Sequence, residues 1–263
     1  MKQVVSLWKR GKKWKRGKRG RNGLMTAGLL VVSVFAAYPQ NAEELLRAVD
    51  DNEVFSTIAY DGEMVIEYQN RRYVKTVKGW GRGNTDSFIE FTNQEDRGAK
   101  YLKTGGRLYA YSPDTEKVML ISGHMLKESM MGSDLSYEDT VNNDRLSDRY
   151  AAKLAGTEVF NGRECWVLEL TAKSRAESYP ARKLWIDKQN RDVLHTELFA
   201  LSGAKLKEYT ALTVEVFDNR RFPTRYEMRD LLRKGSRTTF TMRNVSLDRP
   251  VADSVFSQRN LGR

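Results

Sequence analysis

Between residues 57 and 247 the chain is a succession of short segments in which apolar and polar side chains alternate, each closed by turn-forming residues. A repeat of two suits a half-buried strand and does not suit a helix, so this pattern restricts the chain to an antiparallel β architecture. Strands are predicted at 57–69, 71–82, 85–92, 100–104 and 107–112, and again at 157–160, 165–172, 181–187, 192–200, 206–217, 224–231 and 238–247. Asp61-Gly62, Gly83-Asn84, Gly105-Gly106, Pro113-Asp114, Ser202-Gly203, Asp218-Asn219 and Lys234-Gly235 supply breaks. Asn161-Gly162 predicts a two-residue hairpin, because a type I′ turn needs positive φ at both positions. Eleven or twelve strands joined in this way form a long meander, hence a barrel or a strongly curved sheet.

The alternation also assigns faces. Leu184 and Ile186 point one way while Lys183, Trp185 and Asp187 point the other; Tyr226 and Met228 likewise oppose Arg225, Glu227 and Arg229. One greasy and one solvated face are expected. Such a sheet must curl around something apolar: its own side chains, a helix or a ligand.

The first 38 residues differ in kind. Ten basic and no acidic side chains occupy residues 1–22, and an uncharged apolar run fills 24–38. This is the pattern of a secretory signal peptide, with the run short of the roughly 20 residues that span a bilayer. The expected organisation is a signal peptide at 1–38 and one β domain at 39–263. The mature protein is then soluble in the periplasm; the alternative is an uncleaved inner-membrane anchor. The formal charge of +11 changes meaning accordingly. Without those ten residues, 35 basic side chains face 34 acidic ones, which argues against a nucleic-acid partner. Cys165 is the sole cysteine, so no disulfide can form within the chain, and its alternating surroundings predict a buried thiol. No Cys/His cluster approaches metal spacing, and no metal or cofactor is expected.

Two departures from the strand pattern stand out. Asn41 can cap a helix whose Leu45, Leu46 and Val49 share a face. Between Ile121 and Arg149 the alternation stops: a short helix is predicted at 124–131, with Leu126 and Met130 four apart and Gly132 ending it. A polar, acidic loop is expected over 133–144, with Asn142-Asn143 as a turn.

That interruption carries the most specific motif. Tyr101-Leu-Lys-x-Gly-x-x-Leu-x-x-Tyr-x-Pro, then Ile121-Ser-Gly-His-Met-Leu, then Ser129, Met130, Met131, Gly132, Ser133 and Asp134 followed by Tyr137, Glu138 and Asp139, resembles the LolA-like outer-membrane lipoprotein-sorting family. The resemblance runs from about residue 41 to the C-terminus, where 251–256 is similar to the family's last capping turn. It implies a mainly β (α+β) fold: a single unclosed antiparallel barrel or strongly curved sheet, with short helices over its concave face. It also implies a carrier for lipoprotein acyl chains or another lipid, moving them toward the outer membrane. An inner-membrane transporter and an outer-membrane acceptor are the partners it implies.

Candidate cavity and flap residues follow from the apolar faces. Trp80, Tyr101, Leu108, Trp166 and Leu168 come from one group of strands; Leu184, Ile186, Tyr226 and Met228 come from another; Leu126, Met130 and Met131 come from the flap. Core packing is the alternative for each. Methionines suit a flap because a flexible thioether adapts to irregular partners.

The sequence also offers residue types that other chemistries use. Ser133, Asp134 and His124 contain the residue types of a hydrolytic triad, and a lipid-acting esterase or phospholipase using 124–139 is the alternative from another class. The Gly-x-Ser-x-Gly elbow that would support it is missing. Asp134, Glu138, Asp139 and Asp144 offer oxygen ligands without a calcium-loop spacing. Gly79-Trp-Gly-Arg-Gly83 lacks the Lys-Ser/Thr ending of a phosphate loop and reads as a turn or bulge. A transporter's accessory subunit with no cargo is a third possibility.

Overall fold

The computed structural model describes residues 41–83, 85–141 and 144–262; the expected signal peptide, Asn84 of one expected turn, and the Asn142-Asn143 turn lie outside them. The chain opens with helix α1 (Ala42–Glu53) and continues through β1 (Thr57–Tyr68), β2 (Arg71–Arg82), β3 (Asp86–Phe91), β4 (Lys100–Thr104), β5 (Arg107–Ser112) and β6 (Lys117–Ile121). Short helices α2 (Tyr137–Val141) and α3 (Leu146–Arg149) follow. The chain then resumes as β7 (Tyr150–Phe160), β8 (Arg163–Ala172), β9 (Ala181–Asp187), β10 (Val193–Phe199), β11 (Lys205–Phe217), β12 (Arg220–Asp230) and β13 (Arg237–Leu247).

All thirteen strands belong to one antiparallel sheet. Every hairpin partner in sequence is a neighbour in space, and β1 pairs with β13 in its middle, with Met64 opposite Phe240. The sheet's two ends, β6 and β7, do not pair with each other, so the barrel is unclosed. These two edge strands are consecutive in the chain, and residues 122–149 connect them. The connection therefore becomes the lid.

Local chemistry explains most boundaries. Asn41 caps α1 by accepting a hydrogen bond from the Glu43 backbone N–H (3.0 Å). Asn161 and Gly162 take φ of 48° and 77°, the type I′ geometry expected of that pair. Two strands depart from expectation. β6 was not predicted, because Val118, Met119 and Leu120 are consecutive apolar residues without alternation, and all three are exposed on the sheet edge. β7 begins at Tyr150 rather than 157, since its first half is rich in Ala, Gly and Lys, which are depleted in strands.

The lid is a correction to the sequence reading. In place of one helix over 124–131 there are two 3₁₀ turns, Gly123–Lys127 and Met130–Gly132, separated by extended Glu128 and Ser129. Ser129 forms a β-bridge with Ser136, which folds the motif back on itself. In place of a loop over 133–144 there is helix α2. Ser136 and Asp139 make its capping box: Asp139 N–H donates to Ser136 Oγ (3.1 Å), and Ser136 N–H donates to Asp139 Oδ2 (2.9 Å).

The expectation of one solvated face also needs correcting. The concave face holds the main cluster, including Ile58, Met64, Val77, Ile89, Phe91, Tyr101, Leu108 and Phe240, and a second cluster in which α1 packs on Tyr150, Leu168, Leu170, Leu184 and Ile186. On the convex face, Trp80, Phe88 and Leu102 are covered by Phe256 and Leu261 of the C-terminal segment. Cys165, Val167, Trp185 and Leu194 form another small convex cluster, so Trp185 is buried rather than solvated. Among the described residues, no helix is long and apolar enough to cross a membrane.

Candidate functional site

The concave face and the lid enclose a hollow of about 360 Å³, within the size range of ligand pockets. Its apolar wall is built by strand alternation: Ile58, Tyr60 and Met64 from β1, Phe222, Tyr226 and Met228 from β12, and Phe240 and Met242 from β13. Met130 and Leu135 close it from the lid side. Gly79 is required by this arrangement, because a Cβ there would lie 2.2 Å from the Tyr60 ring.

The candidate residues divide between wall and core. Met130, Leu184, Tyr226 and Met228 line the hollow; Trp80 borders it while its ring packs on Phe88 at 5.8 Å between centroids. Tyr101 and Leu108 lie in the core beside the hollow, where Tyr101 packs on Phe91 and Tyr137 and its hydroxyl donates to Met131 Sδ (3.2 Å). Leu126 and Met131 are half-buried against the same core. Leu168 and Ile186, with half-buried Trp166, support α1 instead.

The motif residues act as a latch between lid and sheet. Asp134 accepts from Thr238 Oγ1 (2.6 Å) on β13 and from the Asp230 N–H (3.0 Å) of β12. Asp139 pairs with Lys207 Nζ of β11 at 2.7 Å and accepts from Tyr179 Oη (2.9 Å); the lysine and its own capping bonds hold its carboxyl below the usual range, overcoming the burial that opposes ionisation. Glu138 accepts from Ser178, and Arg233 donates to the carbonyls of Gly132 and Ser133. Gly132 has φ +77°, and Met131, at φ +51°, shares this left-handed turn.

The hydrolytic residue types are not assembled by this geometry. Ser133 Oγ donates to the Met130 and Leu135 carbonyls, Asp134 is held by Thr238, and His124 is almost fully exposed beside Glu128. The acids of the lid do not converge on a common point either: Asp134, Glu138 and Asp139 each face a different protein partner. Among the described residues, His195, Glu197 and Glu208 do cluster, on β10 and β11; Lys205 Nζ already contacts both carboxylates there, at 2.7 and 2.5 Å.

Several wall residues escaped the sequence reading: Tyr60, Tyr209, Phe222, Phe240, Met242 and Glu53. The signal for Glu53 was present, since it follows Val49 by four and Leu46 by seven on the apolar stripe of α1. Its side chain is exposed and borders the hollow. Burial, followed by repulsion from Asp50 and Asp192, pushes its carboxyl up to about 7, with Arg182 opposing. Burial raises the Tyr60 hydroxyl to about 12, and that of Tyr226 further.

The model of a protein family described as "Uncharacterized protein" matches residues 83–263. No curated protein matches the chain significantly. Among solved structures, a DUF1329 family protein from Desulfovibrio piger ATCC 29098 superposes with a TM-score of 0.77 at 24% identity, over 84% of this chain and 97% of that one. A putative outer membrane lipoprotein-sorting protein domain from Vibrio parahaemolyticus gives 0.74 at 19%, over 84% and 98%. A LolA superfamily protein from Nitrosomonas europaea gives 0.70 at 19%, over 83% and 98%. At these identities the likeness is one of fold: the unclosed, LolA-like barrel.

Proposed function

Since this chain belongs to the uncharacterized-protein family whose model spans residues 83–263, and folds as a LolA-like unclosed barrel, we propose that it is a periplasmic carrier for lipoprotein acyl chains or another lipid. The observation that carries this reading is the hollow of about 360 Å³ under the lid, walled by aromatic and methionine side chains. An acyl chain of 16 carbons loses on the order of 12 kcal/mol when left in water, at about 0.8 kcal/mol per CH₂. A molecule crossing an aqueous compartment therefore needs a dry container, and this fold supplies one without chemistry. Transfer toward the outer membrane, with a transporter as donor and an outer-membrane acceptor, fits the same reading, as does export by the basic and apolar N-terminal segment.

Organic extraction of the purified protein, followed by mass spectrometry, tests the proposal. A lipid recovered in near-stoichiometric amount is expected. Substituting Met228→Trp, which fills the wall, should reduce recovery severalfold. A lipid-free protein that also fails to take up a fluorescent fatty acid overturns it.

A further inference from the structure

The hollow is apolar in its body but has one charged end, formed where α1, α3 and β9 meet. Most charges there are matched. Asp50 accepts from the Leu146 and Ser147 backbone N–H groups at 2.8 and 3.0 Å, Arg145 pairs with Asp51, and Arg149 pairs with Glu177. Two side chains stand apart. Among the described residues Glu53 makes no hydrogen bond and no ion pair, and its exposed side chain lines the hollow. Arg182 also lines the hollow, forms no ion pair, and its buried Nε has no hydrogen-bond partner.

Arg182 is nevertheless held in place. Its guanidinium lies 4.7 Å from the Tyr150 ring and 5.5 Å from that of Tyr179. The two rings and a hydrogen bond to the Tyr150 side chain hold the guanidinium, while its buried Nε remains to be used by something else. Glu53 and Arg182 are near enough for their charges to interact, yet they do not reach salt-bridge distance. A carboxylate with no protein partner and a guanidinium whose buried Nε is unsatisfied leave an acceptor and a donor unused beside the hollow. A ligand carrying both opposite charges would use both.

We infer that the charged end of the hollow reads a zwitterionic headgroup, with Glu53 accepting from a primary ammonium and Arg182 donating to the adjacent phosphate of an aminophospholipid. The acyl chains then lie along the apolar wall between Tyr60, Tyr226 and Met228. The hydroxyls of Tyr60, Tyr209 and Tyr226 make no hydrogen bond among the described residues, and they are placed to donate to ester carbonyls along the way. This inference rests on the lipid-carrier reading and specifies its ligand.

The test uses the full chain and vesicles containing equal amounts of phosphatidylethanolamine, phosphatidylglycerol and diacylglycerol with identical acyl chains. Protein re-isolated from the vesicles is analysed for bound lipid by mass spectrometry. Phosphatidylethanolamine is expected to exceed phosphatidylglycerol by about tenfold, the value of one charge-assisted hydrogen bond. Glu53→Gln, which keeps the side-chain shape, should bring phosphatidylethanolamine down to the level of phosphatidylglycerol. Arg182→Gln should bring phosphatidylglycerol down to the level of diacylglycerol, with thermal unfolding confirming that both variants fold. Equal uptake of all three lipids by the unsubstituted protein overturns the headgroup inference and leaves the carrier reading standing. Uptake of none overturns both.

Discussion

Replacing Asp139 with Asn should loosen the lid before it unfolds the barrel. Asp139 and Lys207 meet at 2.7 Å, and their side chains are only 9% and 10% exposed. At an effective dielectric constant near 20 the attraction is about 6 kcal/mol, much of which is offset by removing both charges from water. Deleting one partner is worse than deleting both, because the survivor stays charged and buried. Such single deletions cost about 3–5 kcal/mol. Asn can still accept from the Ser136 N–H, so Asp139→Asn should fall near the lower end, at about 3 kcal/mol. Lys207→Met should cost a similar amount. The double variant should cost about 2 kcal/mol, less than either single, giving a coupling energy of about 4 kcal/mol. Urea unfolding measures the global part, and amide exchange over residues 130–141 measures lid opening. The carboxyl's lowered pKa fixes the sign with pH: the contribution is present above the unfolded value near 3.9 and is lost as pH falls through the folded one. A double variant whose destabilisation equals the sum of the two singles would refute the latch.

Three further outcomes follow from named contacts. Between pH 4.5 and about 7 Glu53 is protonated in the fold and ionised in the unfolded chain, so ligand-free stability should fall as pH rises through that window. Because the side chain is exposed, solvent screening reduces the loss to about 1–2 kcal/mol, and urea titrations of Glu53→Gln should show it abolished. Gly79→Ala should cost about 1–3 kcal/mol by driving a Cβ into the Tyr60 ring, read as a lower denaturation midpoint; an unchanged midpoint would mean that Tyr60 moves freely. Cys165 is fully buried and burial raises its thiol pKa, so a thiol reagent should label it only at the rate of global unfolding; fast labelling of native protein would contradict the convex cluster around it.

The sequence by itself determined the sheet, its apolar concave face and the helix that opens the domain. Those depend on local periodicity, as in Leu184 and Ile186, and on short-range caps such as Asn41 with Glu43. It also marked 129–139 as unusual, but the role of those residues was not legible there. Asp134 binds Thr238 and Asp139 binds Lys207, contacts separated by 104 and 68 positions. Only the pairing of β1 with β13, which curls the sheet and leaves β6 and β7 apart, brings those partners under the lid. The same holds for Glu53: its place on the apolar stripe of α1 can be counted, whereas the hollow it faces exists only once thirteen strands have bent around it. Periodicity is fixed by neighbours along the chain, while an enclosed volume is fixed by the order in which distant strands meet.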